Sequence, residues 1–499
     1  MTAKPAAAPE RLNFRTKFLY GFGSLSYGVH LTVLPLLLFF YNQVVGLSAQ
    51  VVSAALAVSL IVDAVWDPMV GHISDNLRTR WGRRHPFLYG SAIPIAVSWV
   101  LLWSPPGGFS MPQKALWLLV FVVGARLLIS LYEMPASALA PELAPDYHDR
   151  TVVMSYRWVL GTLGGALAAN LGYFWFFRPT PKYPMGQLNP DAWGPMAVTA
   201  AGIMLASILV SAIGTHEHIP RLHRPAQRRA SLLQNLREIA ATLKNWNLGV
   251  ALTGTLLGGL ASGLYTGLAL YIDTFFWGLR ASQVGVLSIT NLVASFAAAV
   301  VAAAYSRRVG KRRACVSLFF ASLVVLQAPL LLRLLGAFPG PGEAALMPLL
   351  MLQRFAWGIL GNAGFIVVTS MIADITEDAQ VKTGRRSEGL VMSTNTFIGK
   401  ATAAASALMP GLVLAFVHFP AKARPGAVDP GLIRHLVWVY LPVTTTLSFL
   451  SISAWLLYRI DQAAHERNLA TVREAEAVAE AAREAGAEGE APTPLRAVV

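Results

Sequence analysis

The chain has 499 residues, of which 55% are hydrophobic and 13% charged, with a formal net charge of +14. A soluble chain of this length would need far more polar surface to cover its core. The basic residues gather in short loops between apolar runs and neither line a helix face nor alternate with exposed aromatics, which argues against nucleic acid as a partner and points to the lipid bilayer. Cys315 is the single cysteine, so an internal disulfide is impossible, a cysteine-based metal site is not expected, and no cofactor is called for.

In chain order, the polar and basic stretch 1–17 reads as a cytoplasmic N-terminus, and the apolar segment from Phe18 is too long for a cleaved leader. About twelve segments then reach the roughly 20 apolar residues that a spanning helix needs. They run over about residues 18–45, 50–74, 86–104, 115–141, 152–177, 195–214, 248–277, 283–305, 313–335, 345–373, 389–418 and 433–459. The Arg- and Pro-rich stretch 215–247 divides six segments from six as a cytoplasmic loop. The expected fold class is therefore all-α integral membrane, with one six-helix bundle over 18–214 and a second over 248–459. The Ala/Glu-rich tail, 460–499, reads as partly helical or disordered. Lys and Arg crowd the loops after the second, eighth and tenth segments and are sparse in those after the first and third, which places both termini in the cytoplasm.

The most informative run is 63–86. Asp63 and Asp67 lie inside the second segment at i and i+4, one above the other on a single helix face. Two carboxylates so close in a low-dielectric setting cannot both ionise cheaply. A cation or an Arg neutralises them, or one holds a proton, and each outcome makes a coupling site. A helix-kink role for Asp67, just before Pro68, is the structural alternative. Intramembrane acids mark ion or substrate pathways by default, and Glu133 in the fourth segment extends the set to Asp63, Asp67 and Glu133. Arg126 lies two turns before Glu133 on roughly the same face. It is placed with the substrate-binding residues, with a structural ion pair to the second-segment acids as the alternative.

The two halves echo each other. Arg80-Trp-Gly-Arg-Arg follows the second segment, and Arg308-Val-Gly-Lys-Arg-Arg follows the eighth. Weak internal symmetry of this kind is typical of repeat-built transporters. Asp75 with Arg78, Arg83 and Arg84, and Asp374 with Arg308, Arg312 and Arg313, are candidates for a cytoplasmic gate. Opposite charges at the rims would hold that side shut until substrate rebalances the energies.

At these residues the chain resembles the major facilitator superfamily, in its loop Gly71-x-x-x-Asp75 followed by Arg80-x-Gly-Arg-Arg. More narrowly, Asp63-x-x-x-Asp67-Pro68 with Arg80-Trp-Gly-Arg-Arg-His-Pro-Phe is similar to the glycoside–pentoside–hexuronide:cation symporters, the family of melibiose carriers, and the loop is also similar to that of sucrose transporters. Tyr20-Gly-Phe-Gly, Glu133-Met-Pro, and Ala373-Asp followed by Lys382-Thr-Gly-Arg-Arg-Ser-Glu-Gly agree with it. The resemblance implies a twelve-helix alternating-access carrier with cation-binding carboxylates at Asp63 and Asp67 and a shared cation and sugar acid at Glu133. It further implies a sugar-site Arg at Arg157 and a polar Lys at Lys400, preceded by Asn395 and Thr396.

Three positions depart from that pattern. Trp66 stands where the family has a cation-ligating Asn, Tyr27-Gly28 where it has a Lys-Asp pair, and Ser137 where it has a sugar-stacking Trp. Sodium wants a shell of oxygens, whereas a proton needs none, so H⁺ is expected over Na⁺. The chain carries no Gly-x-Ser-x-Gly, His-Glu-x-x-His or Walker-type motif, so a membrane-embedded enzyme is not expected. The expected activity is cation-coupled symport of a small polar solute, a sugar or glycoside, by a monomer in a bacterial inner membrane. An exporter or lysolipid-like carrier on the same fold is the runner-up.

Overall fold

The computed structural model describes residues 12–144, 146–221, 246–383, 388–460 and 467; at 147, 148, 220, 221, 376–383 and 388–397 it describes backbone alone. Among these residues, twelve helices are long and apolar enough to cross a membrane. They are α1 (Phe14–Val45), α2 (Ala49–Asn76), α3 (His85–Leu102), α4 (Met111–Leu143), α5 (Asp149–Phe176) and α6 (Pro190–Ile219). The later six are α7 (Trp246–Phe276), α8 (Ala281–Val309), α9 (Lys311–Leu334), α10 (Leu346–Thr383), α11 (Glu388–Phe416) and α12 (Pro430–Leu456). The only extended pairing among the described residues is an isolated bridge, Thr79 to Gly82, inside the α2–α3 loop.

Local chemistry sets the helix ends. Asn13 caps α1 by accepting from the Thr16 amide at 2.8 Å, so this helix begins four residues before the apolar pattern does. Ser110 and Gln113 form a capping box at α4, and Asn189 caps α6 ahead of Pro190. Gly310, at φ +82°, breaks the chain between α8 and α9, a conformation that residues with a Cβ rarely adopt.

The chain groups into two compact units. The first holds residues 1–226 with 263–289 and 404–436; the second holds 227–262, 290–403 and 437–499. In the first unit α1 and α5 meet backbone to backbone. A Cβ added at Gly28 would fall 1.8 Å from the Gly161 carbonyl oxygen, and one at Gly164 would fall 2.5 Å from the Leu25 Cα. Small residues at such a crossing let helices approach where lipid provides no hydrophobic drive.

The end of this unit away from the Arg-rich loops is closed by neutral hydrogen bonds. The Tyr271 hydroxyl donates to Asn42 Oδ1 at 2.9 Å, and the Gln43 amide donates to the Pro420 carbonyl at 3.1 Å while accepting from the Ala423 amide at 2.9 Å. Gln187 Nε2 is bound to Thr274 Oγ1 and the Leu279 carbonyl, both at 3.0 Å. Beneath them Trp103 and Trp193 stack at 5.4 Å, beside Phe40 and Phe177. The second unit packs its core around Cys315, Leu318, Met371 and Trp455, with Gln327 bonded to Thr444 at 2.8 Å.

The Gly28–Gly161 crossing gives a direct expectation. Gly28→Val forces α1 and α5 apart and destabilises the protein by about 2–3 kcal/mol through overpacking. Thermal unfolding in detergent measures this, and a melting profile equal to the parent's would show that the crossing tolerates a side chain.

Candidate functional site

The site grows from one face of α4. Arg126, Ser130 and Glu133 recur at i, i+4 and i+7, and so share that face. Opposite them on α2 lies Asp63, 8% exposed, whose Oδ1 accepts from the Ser130 hydroxyl at 2.6 Å. One turn further on, Asp67 is half-buried. Between the two acids, the Trp66 indole N–H donates to the Leu127 carbonyl at 3.1 Å. Trp66 therefore ties α2 to α4, and its only polar atom is committed to backbone.

On the same face of α4, Glu133 pairs with Arg157 of α5. Arg157 also donates to the Tyr20 hydroxyl at 3.1 Å, and that hydroxyl in turn donates to the Ala136 carbonyl at 2.7 Å. Tyr20, 2% exposed, thus joins α1, α4 and α5 at a single phenol. The other Glu133 oxygen, Oε2, is buried with no hydrogen-bond partner and remains available as an acceptor. Arg126 lies within electrostatic reach of Asp63 and Asp67, and Glu133 within reach of Asp67. Tyr27, half-buried on α1, faces Glu133, Asp63, Arg126 and Asp67. One unit therefore gathers three carboxylates and two guanidiniums around a phenol, a set able to bind a cation and to hydrogen-bond a polyhydroxyl solute.

The remaining expected site residues are distributed as follows. Lys400 is half-buried on α11 and belongs to the second unit. Asn395 and Thr396 fall on the same helix, with side chains outside the described residues. Ser137 turns back on its own helix and donates to the Met134 carbonyl at 2.9 Å.

At the Arg-rich end, Arg84 is the centre of the first unit's cluster, not one charge among equals. It is 5% exposed and contacts Asp75 at 2.6 Å, Ser74 Oγ at 2.5 Å and Glu142 at 3.0 Å. Arg83 reaches the same Glu142 oxygen at 2.7 Å, and Arg78 is exposed. Glu142, at the end of α4, is an acceptor of this cluster outside the expected gate set. In the second unit, Asp374 accepts from Lys311 at 2.7 and 2.8 Å. Lys311 is a partner outside the expected Arg set. Arg308 and Arg313 are exposed, and Arg312 donates to the Tyr458 carbonyl at 3.3 Å.

Tyr20 is the residue that sequence reading treated only as part of a motif. Tyr20→Phe removes a hydroxyl that touches a charged group, a contact worth about 1.5–3 kcal/mol. Solute uptake at subsaturating concentration should fall about tenfold, with membrane levels unchanged. Uptake equal to the parent's would remove Tyr20 from the site.

Comparison with known proteins gives the family and the fold. Residues 19–462 match the family model described as MFS/sugar transport protein. The chain is 25% identical to the isoprimeverose transporter of Lactiplantibacillus pentosus over 85% of this chain and 84% of that one. It is 24% identical to the sodium-dependent lysophosphatidylcholine symporter 1 of Xenopus tropicalis, over 81% and 79% respectively. The fold is similar to that of the xylose transporter XylE from E. coli in its inward-open conformation. There the TM-score is 0.58 at 16% identity, covering 90% of this chain and 97% of that one. The chain belongs to the glycoside–pentoside–hexuronide:cation symporter family of the major facilitator superfamily, and it is a transporter, not an enzyme.

Proposed function

We propose that the protein carries a small polar solute, a sugar or glycoside, together with one coupling cation by alternating access. The observation that carries this reading is the cluster of intramembrane charges in the first unit's site. Asp63, Asp67 and Glu133 gather with Arg126 and Arg157 in a low-dielectric setting, where any added charge changes the energy of the whole set. An entering cation shifts that balance. Glu133 Oε2, Arg157 and Tyr27 then offer an acceptor and donors to sugar hydroxyls, with Lys400, Asn395 and Thr396 proposed as the contribution of α11.

The proposed ion is H⁺. Sodium needs several oxygens around it, and Trp66 places between the two aspartates an indole already committed to Leu127. The Arg-rich loops are proposed to face the cytoplasm, with both termini there, in a bacterial inner membrane, and the carrier to work as a monomer. In that frame the Arg84–Asp75–Glu142 cluster and the Lys311–Asp374 pair belong to the cytoplasmic gate, and Asn42, Gln43 and Tyr271 to the outer seal. A second reading, carriage of a lysolipid, is favoured by the name of the Xenopus relative. An uptake panel of sugars, glycosides and lysolipids in proteoliposomes separates the two.

Coupling is tested at the aspartates. Asp63→Asn or Asp67→Asn should reduce gradient-driven accumulation by at least about tenfold while exchange without a gradient survives, because exchange needs no net cation movement. Unchanged accumulation in both variants would take these acids out of the mechanism. The ion is read in the same vesicles: uptake that follows an imposed Na⁺ gradient at fixed pH and ignores a pH gradient overturns the choice of H⁺.

The two ends are tested together. Gln43→Ala loosens the outer seal, and Asp75→Asn loosens the cytoplasmic cluster, so the two should shift alternating access in opposite directions. Labelling of cysteines introduced along the path should rise from the outside in the first variant and from the cytoplasm in the second. Equal labelling in variants and parent would leave these residues with a structural role only.

A further inference from the structure

His30 lies on α1, 1% exposed, and neither ring nitrogen has a hydrogen-bond partner. Its ring stacks parallel to Tyr27 at 6.5 Å and sits 5.8 Å from Trp99 of α3. Two buried donors near it are also without partners: the Trp99 indole N–H and the Arg126 Nε–H. Arg126 is within electrostatic reach of His30 on one side and of Asp63 and Asp67 on the other. A buried polar group with no partner is rare enough in native proteins to need a reason. Here a neutral imidazole offers one acceptor nitrogen beside two donors that lack any.

We propose that Arg126 is a tethered cation of the coupling site, and that His30 is the positioning residue that receives it when the coupling cation enters. In the present arrangement the guanidinium helps neutralise Asp63 and Asp67. An entering cation does the same work and repels Arg126, whose attraction to the now-balanced carboxylates falls away. The guanidinium then swings from α2 towards α1, and its Nε–H meets the free lone pair of His30. One electrostatic contact is given up and one hydrogen bond is made, with no proton leaving the guanidinium. Because His30 is stacked on Tyr27, the same movement presses on a phenol that faces the solute, which links ion entry to the solute site. The inference rests on the reading of the protein as a cation-coupled carrier.

The test measures the half-saturating concentration of the coupling ion, proton or sodium according to which gradient drives uptake in the parent. Arg126→Gln removes the competitor and should tighten ion binding about tenfold. His30→Phe keeps the stacked ring but removes the acceptor, and should weaken ion binding about tenfold with solute KM at saturating ion unchanged. His30→Gln, which again offers an acceptor, should return it to within about twofold of the parent. In the Arg126→Gln background, His30→Phe should have no further effect. Each variant is compared by the amount of folded carrier recovered in membranes and its thermal unfolding in detergent, which report folded protein independently of transport. An unchanged ion requirement in Arg126→Gln and His30→Phe, or an equal His30→Phe effect with and without Arg126, overturns the inference while leaving symport intact. A parent whose uptake ignores both gradients overturns the coupled-carrier reading and this inference with it.

Discussion

A carboxylate inside a bilayer-spanning bundle must be neutralised, and the first unit contains three of them within reach of one another. Two unit charges about 4 Å apart interact by on the order of 4 kcal/mol at the effective dielectric typical of protein sites. That exceeds what a single neutral hydrogen bond contributes, so the charges dictate which helices must meet. Glu133 needs Arg157, which requires α5 to lie against α4, and Arg157 needs the Tyr20 hydroxyl, which requires α1 to lie against both. The glycine crossing between α1 and α5 makes that proximity sterically attainable. Asp63 in turn draws Ser130, and Trp66 draws the Leu127 carbonyl, which secures α2 to α4.

Within the first unit the two ends use different chemistry for their contacts, and the difference suits a moving carrier. At the Arg-rich end the contacts are ionic, with Arg84 shared among Asp75, Ser74 and Glu142. The Arg84 and Glu142 side chains are themselves buried, so the loss of one partner is costly, and the guanidinium keeps several acceptors at once. At the opposite end of the first unit the contacts are amide and phenol hydrogen bonds, which are directional and fail when geometry shifts. A seal of that kind holds firmly in one register and releases as a unit.

Much of this was legible in the residues. Apolar runs of spanning length marked the twelve helices, because backbone in a bilayer has no option but helix or closed barrel. Asp63, Asp67 and Glu133 stood out because acids are so disfavoured there. What escaped was set by contact, which spacing along one chain does not encode. Arg308, Arg312, Arg313 and Lys311 are all basic residues around the same turn, and only the rotation of α9 puts Lys311 on Asp374. Asn42, Gln43 and Gln187 are ordinary polar residues near helix ends, where they are common as interfacial groups. Their role depends on Tyr271, Ala423 and Leu279, hundreds or dozens of residues away. Nothing in the spacing around His30 distinguishes it, and only its surroundings show that no partner is within bonding distance.

The departures from the family's pattern form a coherent set once the charges are counted. Trp66 occupies the place of an ion-ligating amide, and Tyr27 stands where the family has a charged pair. Each substitution takes away an oxygen or a charge that would have served an ion or a sugar. Arg126, two turns from Glu133 on the same face, adds a positive charge in the same neighbourhood. Neither change alters the net charge of the site, so Asp63, Asp67 and Glu133 still need positive charge beside them to be buried. A guanidinium on α4 restores the balance without water, and does so on a side chain long enough to move. The constraint that buried acids impose is thus met partly by the protein's own side chains.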